Sequence, residues 1–534
     1  MPFCQPAILR SRFQTLAIFL SLAMLCGSAL PAHSQDVLTY HNNNARIGLD
    51  SSETTLTLAN VNAAMFGRLF TIKVDGLVDA QPLYLSAVTV AGITHNLLIV
   101  VTEHDSVYVF DADTGAQLWH ISTLKTGEIT SDDRGCGQVS PEIGITSTPV
   151  ITRPKGSNPV VYVVAMSKDS SGNYHQRLHA LDATDGKELH NGPVDIQAKY
   201  PGTGDNSSGG NVIFDPAQYK ERAGLLWINP TVYLAWASHC DNRPYTGWIM
   251  GYNGNTLLQT SRINLTPNGN EGAIWGAGAG MAGDSSGNIF LLDGNGFFDS
   301  TLTSSEFPSD GDYGNAFLRV SSAGVLAVAD YFEMDNQAQE NGADVDLGSG
   351  GTLLVNQRDA SGKLWELAVG AGKDGNLYVV DRTNMGKFHP GGNRIYQELA
   401  GALPGGIWSM PAFFNGRIYY GPVNSNILAF RFSNAKLLAS PVARTANAFG
   451  YPGATPSISA NGNQNGILWA AENTSPAVLH AYNALTLQEL YNSNQAAGGR
   501  DQFGNGNKFI TPTIANGKVY VGSTNSVGVF GLLK

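Results

Sequence analysis

Charge is what this sequence has least of. Of its 534 residues only 14% are Asp, Glu, Lys or Arg, and the balance is acidic, with a formal net charge of −11. No basic stripe is left to follow a phosphate backbone or an anionic bilayer, so nucleic acid is excluded as a partner. Cysteine is scarce too, at four residues. No Cys-x-x-Cys-His occurs, which excludes covalently attached haem of the c type. There is no Gly-x-Ser-x-Gly, phosphate loop or His-Glu-x-x-His, so the usual signatures of serine hydrolases, nucleotidases and zinc proteases are missing. Asp310-Gly311-Asp312 lacks the downstream Glu of an EF-hand loop and reads as a turn. Long segments of 3.6-residue period are absent. Beyond the first thirty residues no apolar run approaches the roughly 20 residues that span a bilayer.

The N-terminus has its own logic. Arg10 and Arg12, the apolar run Leu16 to Leu25, and Ala32-His33-Ser34 form a secretory signal peptide over residues 1–34, with the mature chain starting at Gln35. Cys26 follows Leu25, where a lipoprotein site wants a small residue. The protein is therefore expected to be secreted or periplasmic. Cys136 and Cys240 remain, and one disulfide is the default reading in an oxidising compartment, with two free thiols or a metal site as alternatives.

What is abundant is glycine, at 62 residues, and a repeat. In Ser106-Val107-Tyr108-Val109-Phe110-Asp111 the period is that of a half-buried strand; Asp113-Thr114-Gly115 then makes a turn, and Gln117-Leu118-Trp119 opens a second strand. Copies stand at Leu178 to Leu189, Ile249 to Leu257 and Leu479 to Thr486, with degenerate ones at Leu377, Ile427 and Val527. Two more short strands precede each copy, the first often opened by a proline, as at Pro82, Pro149, Pro411, Pro456 and Pro512. With further openings near Pro230, Ala277 to Met281 and Gly350 to Thr352, the reading is all-β: an eight-bladed β-propeller of four-stranded antiparallel blades. Seven blades is the runner-up, because the third and fourth units are the least regular. Residues 35–66 read as an extended arm and 67–534 as the propeller. The strand Arg68 to Val74 is expected to complete the blade that holds Lys518-Val519-Tyr520-Val521.

Asp111-Ala112-Asp113-Thr114-Gly115-Ala116-Gln117-Leu118-Trp119 resembles the repeat of the propeller in pyrroloquinoline quinone (PQQ)-dependent alcohol dehydrogenases, and the likeness covers nearly the whole mature chain. The same repeat also builds non-catalytic propellers, so it speaks to fold more than to function. The resemblance implies site residues. Asp79, three before Pro82, matches a carboxylate that touches the quinone. Ser238-His239-Cys240-Asp241 resembles a Ser-x-x-Glu in which Ser238 would contact a quinone carboxylate and Asp241 would bind calcium. Trp275 resembles the tryptophan stacked on the quinone, Asn295 a calcium ligand, Asp346 the catalytic aspartate, and Lys373 the cation on the quinone carbonyls.

That set suits its chemistry. A hard cation takes oxygen ligands, a carboxylate takes the alcohol proton while hydride leaves, and a flat ring with a cation fixes the acceptor. Two departures oppose it. The family's adjacent cysteine pair is replaced by Cys136-Gly137, and where an arginine should neutralise a quinone carboxylate the chain has Glu142, whose charge would repel it. Each residue also has an ordinary reading: Asp79, Asp241 and Asp346 as turn caps, Trp275 as packing, Asn295 as a tight turn, and Lys373 as a solvated charge. Two functions follow: a dehydrogenase oxidising an alcohol or sugar with PQQ and calcium, or a non-catalytic propeller binding a protein or glycan.

Overall fold

The repeat at 106–119 shows how the chain folds. In the computed structural model, which describes residues 35–534, the strand Ser106–Asp111 is buried on both faces up to Phe110. The half-buried expectation is corrected here, because sheets pack against both sides of this one and leave no solvent face. The turn is held by one side chain: Asp111 Oδ1 accepts from the amides of Asp113 (3.0 Å) and Thr114 (2.8 Å) and from the Thr114 hydroxyl (2.9 Å). Gly115 has φ +77°, and a Cβ there would lie 2.7 Å from the Phe70 ring. Only glycine meets both conditions. Trp119 then ties this sheet to the next, donating from Nε1 to Ala183 O at 2.9 Å and lying where a Cβ on Gly186, the turn glycine of the next repeat, would be 2.9 Å away.

Nine sheets occur among the described residues, and eight contain an antiparallel meander. In chain order these eight have long central strands at Ile93–Val101, Val160–Lys168, Thr231–Ser238, Asn288–Leu292, Leu364–Gly370, Arg417–Tyr420, Gln464–Glu472 and Lys518–Gly522. The eighth is completed from the other end of the chain: Phe66–Lys73 pairs antiparallel with Ser526–Leu532, running from Phe66↔Leu532 to Lys73↔Ser526. The ninth sheet is a small excursion, Lys199–Pro201, Ser207–Ser208 and Asn211–Ile213, ahead of the third meander. Pro230 does not open that meander. Its innermost strands are Tyr219–Glu221 and Leu226–Ile228, and Pro230 sits in the turn that follows them.

Residues 37–53 visit one sheet after another. Val37 bridges Tyr84 of the first, Leu38 O accepts from Ile151 of the second at 2.7 Å, and Asn44 O, Ala45 O and Ile47 O accept from Gly283, Leu354 and Phe413 of the fourth, fifth and sixth. The third is reached by Asn44 Nδ2 donating to Trp227 O (2.8 Å). Leu49–Asp50 pairs with the seventh, and Glu53 accepts from Gly517 of the eighth at 2.8 Å. Besides a few turns of its own, this segment spends its backbone hydrogen bonds on the sheets it passes. Arg46 is fully buried at its centre, donating to Thr39 Oγ1, Tyr40 O, Leu225 O and Met281 O. The signal-peptide expectation, with Cys4 and Cys26, lies outside the described residues.

Candidate functional site

Loops from several sheets meet at one slot. It is a small cavity of about 50 Å³ with an opening to solvent.

Trp275 forms one wall and is 9% exposed. A Cβ at residue 294 would sit 2.6 Å from its indole and 3.2 Å from Asp346 Oδ2, so Gly294 lets the ring and the carboxylate approach the same point. Asp346 begins a short turn fixed by backbone contacts: Leu347 N donates to Asn315 Oδ1 (2.8 Å), and Lys373 N donates to Asp346 O (2.9 Å). Burial raises the Asp346 carboxyl above the ordinary range, and the Lys373 ammonium, 2.7 Å from Oδ1, partly offsets this. The result is a buried carboxyl more basic than usual.

Lys373 is shared. Its ammonium also bonds Asp344 Oδ1, which accepts from Asn295 Nδ2 at 2.6 Å. Asp344 adopts a left-handed conformation, φ 56°, as the cap of the short helix Gln337–Ala343, and its mostly exposed carboxylate meets Lys373 and Asn295 at the edge of the slot. On the opposite side the disulfide Cys136–Cys240, with Cα atoms 5.4 Å apart, joins the loops that carry Gln138 and Asp241. Asp241 lines the slot and accepts from the Tyr245 hydroxyl at 2.6 Å.

Five expected site residues are thus brought together: Asp241, Trp275, Asn295, Asp346 and Lys373. Two are not. Asp79 is buried outside the slot, accepting from Asn507 Nδ2 at 2.6 Å beside Glu103, and burial pushes its carboxyl up. Ser238 ends a buried strand paired with Tyr219 and does not line the slot. Glu142, where an arginine was expected, is bonded to His104 (3.0 Å) and Thr130 (2.8 Å) and does not line the slot.

The residue the sequence reading missed is Arg222. It lines the slot at 3% exposure, its guanidinium 4.0 Å over the Phe509 ring and 5.9 Å from the centre of Trp275, with Nη1 donating to the neutral Gln138 at 3.0 Å. Burial lowers its pKa to about 10, and its Nε has no partner. A buried cation without a contacting carboxylate is costly on its own and suits an anionic ligand. The available signal was Lys220-Glu221-Arg222, a charged run where other meanders open with Ser or Thr and proline.

The slot therefore sets a flat indole beside two cationic side chains, Arg222 and Lys373, a donor set that suits an anionic ring. It does not fit a metal ion in the same way, since among the described residues no three His, Cys, Asp or Glu side chains converge to hold one.

No protein-family model matches the chain, and no curated protein does. Solved structures do. A quinohemoprotein alcohol dehydrogenase from Comamonas testosteroni is 15% identical, with a TM-score of 0.61 over 93% of this chain and 80% of its own. Quinohemoprotein alcohol dehydrogenase ADHIIG from Pseudomonas putida HK5 follows at 14% and 0.59, covering 93% and 80%. A europium-containing methanol dehydrogenase gives 12% and 0.57, covering 93% and 98%. At such identities the likeness establishes the fold: this chain is a β-propeller of the kind found in quinoprotein alcohol dehydrogenases.

Proposed function

We propose that this protein is a quinoprotein-type dehydrogenase that oxidises a hydroxyl group of a small alcohol or sugar, with PQQ held in the axial slot. The observation that carries the reading is the meeting of Trp275, Arg222, Lys373 and Asp346 at one small cavity. Trp275 offers a flat wall, Arg222 and Gln138 offer donors to a carboxylate, and Lys373 offers a cation to carbonyl oxygens. PQQ, when bound, supplies a two-electron acceptor for hydride. Asp346 takes the hydroxyl proton, so an alcohol becomes a carbonyl compound with proton and hydride both accounted for. Calcium, expected on Asp241 and Asn295, is not part of this reading, and no step is routed through it. The leader over 1–34 and the Cys136–Cys240 bridge support a secreted or periplasmic location. Residues 35–66 serve as an arm to a propeller of eight blades over 67–534.

The test is titration of the purified protein with PQQ, with and without calcium, followed by tryptophan fluorescence and then by reduction of an artificial dye with primary alcohols and sugars. Asp346→Asn should abolish turnover and leave binding, whereas Trp275→Ala should weaken binding at least about tenfold. Absence of binding at micromolar PQQ discards the dehydrogenase and leaves a propeller that binds a protein or glycan.

A further inference from the structure

The position beside Asp346 that a metal ion would need is taken by the protein itself. Lys373 Nζ lies 2.7 Å from Asp346 Oδ1 and also bonds Asp344 Oδ1. Hard cations sit roughly 2.3–2.6 Å from carboxylate oxygens, so the ammonium stands where such an ion would stand. Asn295 completes the picture. Its Nδ2 donates to Asp344, which leaves Oδ1 buried and without a hydrogen-bond partner. Two carboxylates and an orphaned amide oxygen are the donor types of a hard-cation site, and Lys373 already bonds both carboxylates.

We propose that Lys373 is a tethered cation that occupies the cation position between Asp344 and Asp346, beside Asn295, and thereby blocks a hard metal ion there, so that the slot binds its anionic ring ligand without a metal ion. The tether is short. Lys373 N is bonded to Asp346 O at 2.9 Å, and a Cβ on Gly406 would fall 3.1 Å from Lys373 Cα, so the backbone is packed on both sides. An incoming ion would have to expel an ammonium that bonds two carboxylates only two residues apart. The last part of this proposal rests on the dehydrogenase reading; the blocking of the metal position does not.

Terbium(III), whose luminescence is sensitised by nearby tryptophan, is the probe. Wild-type mature protein should give no sensitised emission at micromolar terbium. Lys373→Met should gain it, with affinity at least about tenfold higher; Lys373→Arg should stay dark, and the Lys373→Met, Asp344→Asn double variant should lose the gain. Emission from the wild type at micromolar terbium overturns the proposal, as does a Lys373→Met protein that melts normally and binds no better. PQQ quenching of tryptophan fluorescence should persist in EDTA, and wild-type binding of PQQ that requires calcium also overturns it. Failure of PQQ to bind under any condition sinks the functional reading instead and leaves the terbium result to stand.

Discussion

The first meander and the third are built on the same plan and differ in what they do with buried polar groups. In the first, the turn side chain Asp111 has its oxygens occupied by Asp113, Thr114 and His95 Nδ1 at 2.6 Å, all local or in the adjoining strand. In the third, Lys220 and Glu221 on the strand Tyr219–Glu221 and Arg222 just after it are buried in succession. Lys220 Nζ has no partner, and burial lowers its pKa to about 7; burial pushes the Glu221 carboxyl well up, eased only by the Ser147 hydroxyl. An unsatisfied buried polar group costs about 1–3 kcal/mol. The first meander has unsatisfied buried carboxyls of its own, Glu103 and Asp105, which burial pushes well up, so the difference is one of sign and place: only the third puts a buried cation, Arg222, into the slot.

The largest test removes what both meanders depend on. A chain starting at Asp75 loses the strand Phe66–Lys73 and the segment that bonds eight sheets, leaving Ser526–Leu532 as a bare edge. It should aggregate or fail to melt cooperatively, read by size exclusion and circular dichroism. A truncated protein that melts like the full chain would show that the closing strand is dispensable.

The pH dependence of stability separates the two kinds of polar group. Glu221 has a folded-state pKa above its unfolded value, so its contribution is present below about pH 4.5 and is lost as pH rises through the folded pKa. Glu128, bonded to Arg177, behaves oppositely: side-chain bonding overcomes its burial and lowers it to about 2, so its contribution is present above pH 4.5 and is lost only as pH falls towards 2. Glu221→Gln should therefore stabilise the protein more at pH 8 than at pH 5, by about 1–3 kcal/mol, in denaturant titrations at both pH values. An equal effect at the two would mean that Glu221 is hydrated and charged throughout.

Arg222→Met should raise the stability of the ligand-free protein by about 1 kcal/mol, because it removes a buried charge that no carboxylate contacts, less the value of its stacking on Phe509. It should also abolish PQQ quenching. A variant that is destabilised and still binds would reverse the role given to Arg222.

These contrasts explain which parts of the molecule could be read in advance. Strand, turn and closing Phe66–Lys73 were legible because local rules specify them: alternation, the Asp-x-Thr-Gly turn, and a last meander one strand short. Trp275, Asn295 and Asp346 were legible only through resemblance, yet the slot does gather them. Arg222 was not, since nothing local says that the residue following the strand Tyr219–Glu221 faces a loop residue at 275. Asp79 and Ser238 failed for the same reason in reverse: their places along the chain matched, but Asn507 and Tyr219, distant in sequence, hold them outside the slot. Glu142 likewise is bonded to His104, from the first sheet, and does not line the slot.

The smallest expected effect is in the first meander, and the protein contains its own control. Asp111→Ala removes the acceptor for two backbone amides and one hydroxyl and should cost about 1–2 kcal/mol, as loss of a capping side chain does. Asp111→Asn keeps that oxygen. Two other repeats already carry asparagine at this position: Asn253 Oδ1 accepts from Asn255 N at 2.9 Å, and Asn483 Oδ1 accepts from Leu485 N at 2.9 Å. The turn therefore needs an oxygen, not a charge, and the asparagine variant should lose only the added strength of the His95 contact, about 0.5 kcal/mol for a partly exposed pair. Thermal melting of both variants distinguishes the cases. An asparagine variant as unstable as the alanine one would mean that the ion pair holds this turn, and that repeats sharing one shape do not share one cause.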